Sequence, residues 1–149
     1  MSAFVSQMGG GFVWVENASQ RRITRYRMYN LPIDSPGFYV YIKDEEGVVW
    51  SPTFRPVECE LDNFEAKHYA GKSLFLAQKN GVEARLTLFV MPDYDVLTWR
   101  LDISNNTNKE KKFDIFAYVE LSQHNWSAEG STGYYWRHML KTWFDEESK

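Results

Sequence analysis

At 149 residues, with 44% hydrophobic and 25% charged residues, the chain has the size and composition of one folded domain or part of one, which excludes a disordered segment. A net charge of −3 argues against a general nucleic-acid binder, which would carry a basic excess. One cysteine, Cys59, excludes an internal disulfide, and no apolar run approaches the length of a membrane span.

Aromatic residues make up 17% of the chain, and such side chains pack well on pleated surfaces. The opening MSAFVSQMGGG lacks the charged and apolar regions of a signal peptide. With the lone cysteine this gives the expectation of a reducing, cytoplasmic setting. There the sequons at Asn17, Asn105 and Asn125 are chance matches.

Strands are expected at Gly11–Val15, Ile23–Met28, Phe38–Lys43, Glu65–Tyr69 and Ser73–Gln78. Three longer ones follow, each alternating apolar with polar positions. Val82, Ala84, Leu86, Leu88 and Val90 share one face of the first. Leu97, Trp99, Leu101 and Ile103 share one face of the second, and Phe113, Ile115, Ala117, Val119 and Leu121 one face of the third. Turns interrupt the alternation at Asp44–Gly47, Lys79–Gly81, Met91–Asp93 and Ser104–Asn108. Asn80-Gly81 is the sharpest of these, because both residues tolerate the positive φ of a two-residue hairpin. Many strands on short turns imply an all-β, antiparallel sandwich. The tail departs from this pattern. Trp136, Met139, Leu140 and Trp143 fall on one helical face, which predicts a short C-terminal helix from about Tyr134 to Glu146. Ser131 or Thr132 would cap it, and its apolar stripe would dock on the sheet.

Chemistry-bearing residues concentrate between Gly9 and Pro56. Arg21, Arg22, Arg25 and Arg27 sit among Tyr26, Tyr29 and Trp50, a basic aromatic surface of the kind that grips phosphate and sugar. Two readings of the arginines stay open: a face paired with nearby acids, or cations turned toward a substrate cleft or partner domain. The carboxylates at Asp44, Glu45 and Glu46, at Asp93 and Asp95, and at Asp145, Glu146 and Glu147 lie on turns or a helix end. They suggest solvated charges rather than an acid/base pair. His68, His124 and His138 lie on separate elements without metal-ligand spacing, so no metal or cofactor is implied. Ser51 has no nucleophile-elbow context. Gly9-Gly10-Gly11 precedes a strand rather than a helix, which points to close backbone packing rather than a phosphate cradle.

The order of these segments resembles the amino-terminal β-sandwich domain of glycoside hydrolase family 94, the inverting glycoside phosphorylases such as cellobiose phosphorylase. The likeness rests on Gly9-Gly10-Gly11, Arg22-Ile23-Thr24-Arg25-Tyr26-Arg27, Tyr41-Ile42-Lys43-Asp44 and Trp50-Ser51-Pro52. It continues through Lys67-His68-Tyr69, Asn80–Ala84, Leu88–Pro92, Lys111-Lys112 and Phe116–Glu120. Coverage runs from Phe4 to about Trp126.

The resemblance implies that residues 1–149 are a partial, supersandwich-like amino-terminal domain, without the helical (α/α)6 barrel that carries the family's proton-donating aspartate. The parent reaction would cleave a β-linked disaccharide with inorganic phosphate as co-substrate. Because phosphate is the nucleophile, one carboxylic acid suffices. This chain would therefore be inactive alone. Its expected partners are the barrel domain, carbohydrate, and a second copy through dimer contacts, with neither nucleic acid nor membrane among them. Arg22, Arg25, Arg27 and Trp50 are the candidate substrate-side residues. Asn125 and Trp126, which resemble the start of a loop approaching the sugar cleft, join them. Two alternatives stand beside this: a free-standing carbohydrate-binding sandwich stacking sugar on Trp14, Trp50 or Trp126, and a structural remnant associating through its tail helix.

Overall fold

The computed structural model describes residues 1–25 and 37–143. Nine strands and one helix fill the described residues. They are β1 (Ser2–Val5), β2 (Gly11–Trp14), β3 (Phe38–Asp44), β4 (Val49–Trp50), β5 (Asn63–His68), β6 (Ser73–Lys79), β7 (Val82–Val90), β8 (Leu97–Asn105), β9 (Phe113–Val119) and α1 (Trp126–Arg137). The strands form antiparallel sheets in the orders β1-β2, β4-β3-β9 and β5-β6-β7-β8.

The expected alternation decides which sheet faces meet. Val82, Ala84, Leu86 and Leu88 of β7 are buried, together with Phe75 and Ala77 of β6. From the other sheet, Phe38, Val40, Ile42 and Trp50 join the same core, and Phe38 meets Trp99 of β8 with ring centroids 5.2 Å apart. Each fully buried side chain of this size contributes roughly 1.5–3 kcal/mol through removal from water. The result is the antiparallel sandwich that the pattern predicts.

Local chemistry fixes the turns. Asn80 and Gly81 both adopt positive φ, 50° and 75°, and close the β6–β7 hairpin in the register Lys79↔Val82. At Gly11 a Cβ would stand 2.0 Å from the Phe4 carbonyl oxygen, so only glycine lets β1 and β2 approach. This is the close backbone packing expected of the glycine run.

Three expectations are corrected. The helix begins at Trp126, not near Tyr134, because Asn125 caps it: the Asn125 Oδ1 accepts the Ala128 N–H at 2.7 Å. Ser131 is inside the helix, donating its hydroxyl to the Ser127 carbonyl at 2.7 Å. The helix ends at Arg137, which leaves Trp143 beyond it and 84% exposed, and Met139 exposed too; neither docks on a sheet. The end of that expected helix, residues 144–146, lies outside the described residues. The expected strand Ile23–Met28 is reduced to a bridge at Thr24, with another at Arg22 just ahead of it, and residues 26–28 lie outside the described residues. Finally, the apolar face expected of β9 is uncovered: Ile115 and Val119 are 52% and 47% exposed. Their partners across β3, Ile42 and Phe38, are buried and Phe113 packs against the core, so the face is aimed as expected but is covered only at one end.

Candidate functional site

The basic block folds around two ion pairs. Arg22 pairs with Trp14 in an isolated bridge, which turns its side chain inward. Its guanidinium lies over the Phe12 ring at 4.6 Å, donates from Nε to the Ala18 carbonyl at 3.0 Å, and approaches Glu129 of α1 with Nη1 to Oε2 at 3.2 Å. Arg22 and Glu129 are each 5% exposed. The Arg22 N–H donates to the His124 carbonyl and the Trp126 N–H to the Ser19 carbonyl, so the start of α1 is fastened to the 17–25 loop through backbone as well as charge.

Arg25 makes the second pair, from Nη1 to Oε2 of Glu120, and is also buried. The other Glu120 oxygen accepts the Tyr118 hydroxyl at 2.6 Å. Desolvation, then the hydrogen bond to and the charge of Glu120, push the Tyr118 phenol up to about 12, against a smaller opposing effect of Arg25. Desolvation and the same carboxylate raise Tyr41, whose ring meets Tyr118 edge-on at 6.3 Å.

Trp50, Ser51, Pro52 and Thr53 form a buried corner. The Ser51 and Thr53 hydroxyls lie 2.8 Å apart, and the Thr53 Oγ1 donates to the Arg55 carbonyl at 2.8 Å. Trp50 is 1% exposed, so its ring is core and offers no stacking surface to a sugar. Asn125 is committed to capping α1, while Trp126 stands 47% exposed at the helix start. Arg27 lies outside the described residues. The structure therefore brings Arg22, Asn125 and Trp126 together at the junction of the 17–25 loop with α1, and places Arg25 on the β9 side and Trp50 in the core.

Glu129, Glu120 and Tyr118 are the partners that the sequence did not single out. Glu120 was visible as the polar position ending a strand, but Glu129 sits among serines and glycines with no pairing signal. The remaining polar groups serve structure. Asp44 Oδ1 accepts the Glu46 and Val48 N–H groups in its hairpin, His68 Nδ1 meets Ser73 Oγ at 2.9 Å across β5 and β6, and the N-terminal ammonium pairs with Asp95 at 2.6 Å. Among the described residues no group of three or more His, Cys, Asp or Glu side chains could hold a metal ion, and no helix is long and apolar enough to cross a membrane.

Fold and site together define a β-sandwich domain in which Arg22 and Arg25 are engaged in intramolecular ion pairs. The family model for the glycosyl hydrolase 94 supersandwich domain matches residues 1–149, and the chain belongs to that family. It is 34% identical over 121 residues to an N,N'-diacetylchitobiose phosphorylase of Vibrio furnissii, covering 79% of this chain and 15% of that protein. A solabiose phosphorylase of Paenibacillus borealis is 29% identical over 85 residues, 56% of this chain and 11% of that protein. A cellobionic acid phosphorylase of Neurospora crassa is 26% identical over 108 residues, 70% of this chain and 13% of that protein. The chain thus spans about 15% of the length of the first of these relatives.

Proposed function

We propose that this chain is the non-catalytic sandwich portion of an enzyme that phosphorolyses a β-linked disaccharide to a sugar 1-phosphate and a free sugar, and that it works as a scaffold for a helical catalytic domain. The observation that carries this reading is the state of the arginines. A phosphate site needs cations free to meet an anion, whereas Arg22 and Arg25 are buried against Glu129 and Glu120. Both pairs tie distant parts of the chain together, across 107 and 95 residues, which is bracing rather than catalysis. Trp126, exposed beside the capped start of α1, is the candidate for contact with a sugar-side loop of the complete enzyme. The cytoplasm is the proposed setting, in keeping with the lone, unpaired Cys59.

The test is direct. Incubated with inorganic phosphate and either N,N'-diacetylchitobiose or cellobiose, the 149-residue chain is expected to release no sugar 1-phosphate. Sustained release by the purified chain would overturn the reading. Free-standing carbohydrate binding is the second reading, favoured only by the exposed Trp126. Calorimetric titration that finds no heat with either disaccharide would remove it.

A further inference from the structure

The outer face of the β5-β6-β7-β8 sheet carries a trough of about 880 Å³, apart from α1 and the basic block. The inner face of these strands is core, with Phe75, Ala77, Ala84, Leu86 and Leu88 buried. Alternate positions turn the other way and include Glu65, Lys67, Arg85, Arg100 and Asp102, all partly or largely exposed. So many charges mark this face as built to meet water or a polar ligand rather than to pack against another layer.

The strand register sets the plan of the trough. Leu74, Thr87 and Arg100 lie side by side across β6, β7 and β8, and Arg85 and Asp102 form the next outward pair along β7 and β8. At the other end stand Phe89 and the Tyr69–Lys72 turn, where the Tyr69 N–H donates to the Lys72 carbonyl at 2.8 Å. From Phe89 to Arg85 is about 13 Å along the strand, and from β6 to β8 is about 10 Å across the sheet.

The two ends differ in chemistry. Tyr69 is 54% exposed, with Lys72 Nζ 5.4 Å from its ring centroid, and with half-buried Phe89 and Leu74 it supplies apolar surface. At the far end Arg100 donates from Nε and Nη2 to Asp102 Oδ1, both at 3.1 Å, and Arg85 Nη2 stands 3.4 Å from Glu83 Oε1. These pairs decide which ligand fits. An anion drawn to either guanidinium would also meet the carboxylate beside it. A hydroxyl is donor and acceptor at once, so neighbouring hydroxyls can bond both members of a pair, whose groups have more donors and acceptors than one contact uses. Exposed pairs of this kind are weak and readjust readily. Apolar C–H faces edged with hydroxyls are the surface of a pyranose ring.

We propose that this trough binds a neutral oligosaccharide, with one ring stacked at Tyr69 and hydroxyl groups held by Arg85, Arg100 and Asp102. The site is separate from Trp126 and needs no phosphate, so it stands independently of the phosphorolysis proposed above.

Amide chemical shifts of the isotopically labelled 149-residue chain, titrated with cellotetraose and with fully N-acetylated chitotetraose, test it. At least one is expected to bind at millimolar concentration and to shift amides at 69–72, 85–89 and 98–102. Tyr69→Ala and Arg100→Ala should each weaken binding about tenfold or more, while Trp126→Ala leaves it unchanged. Both trough side chains are exposed, so an unchanged urea midpoint should show that the two variants remain folded. No shift with either tetrasaccharide would overturn the proposal. So would binding that is lost in Trp126→Ala but kept in Tyr69→Ala. Tighter binding of tetragalacturonate would overturn it too, by making the ligand an anion.

Discussion

Replacing Glu129 by glutamine probes the brace between α1 and the 17–25 loop. The side chain keeps its shape but loses the charge that Arg22 faces at 3.2 Å in a pair whose members are 5% and 6% exposed. The guanidinium keeps its bond to the Ala18 carbonyl and its place over Phe12. Removing one partner of a buried pair costs about 3–5 kcal/mol, and the amide oxygen that can still accept a hydrogen bond sets the expectation near the low end, about 3 kcal/mol. With a urea dependence of about 2 kcal/mol per molar, the midpoint of unfolding should fall by about 1.5 M. Asp102→Asn is the control. Its partner Arg100 is 70% exposed on the outside of β8, so the midpoint should move by less than about 0.5 M. The double variant Arg22→Met/Glu129→Leu should recover most of the loss, since an apolar pair of similar volume can replace a buried ion pair at little cost. Equal midpoints for Glu129→Gln and Asp102→Asn would refute the bracing role.

Phe75, fully buried between the sheets, should cost about 3–5 kcal/mol on replacement by alanine, read as a lower urea midpoint with unchanged slope. Gly9→Ala meets two obstacles, φ at +88° and the Thr53 Cβ at 2.2 Å from the new methyl group; it should cost about 2–4 kcal/mol and lower the melting temperature by roughly 5–15 °C. Gly47→Ala, with φ +85° and open space around it, should cost only about 1 kcal/mol in the same assay. Ionisation of Tyr118 should lag behind the ordinary phenols when followed by phenolate absorbance, its pKa lying at about 12. The folded state holds that proton more tightly than the unfolded state, for which the reference is 10.0, so the contribution to stability is complete below pH 10 and is lost as pH rises toward 12. Tyr118→Phe should diminish the late absorbance phase, leaving the raised Tyr41 in it; an unchanged titration curve would contradict the upward shift of Tyr118.

What was legible in the sequence tracks how local its cause is. β7 announces itself because its alternation continues across the whole strand, and Asn80-Gly81 fixes the hairpin before it by backbone preference alone. β1 and β4 are invisible for the opposite reason: four and two residues are too few to establish a period. The helix was displaced because its start depends on one cap, Asn125, while most of the residues after it (Ser127, Gly130, Ser131, Thr132 and Gly133) are weak helix formers. Tertiary contact wins there: Glu129 gains a buried cation from the 17–25 loop, more than a hundred residues away. The uncovered face of β9 is also beyond reach of periodicity, which tells which way a side chain points but not whether anything meets it.

The arginines show how the same residues support two chemistries that only long-range pairing separates. In sequence, Arg22 and Arg25 sit among aromatics and lack any acid at close spacing, which is how a phosphate or sugar grip looks. In the fold each finds its carboxylate from the far end of the chain, at Glu129 and Glu120. A buried cation already neutralised by a carboxylate gains little from binding phosphate, since the anion would have to displace that partner and strand a second charge. The pairs instead hold α1 and the end of β9 in place. That positions Trp126 at the surface on one side, while on the other β9 has, among the described residues, a neighbouring strand on one edge alone. On the function proposed above, Arg22 and Arg25 act through geometry: they hold surfaces in place, and the chemistry belongs to the catalytic domain.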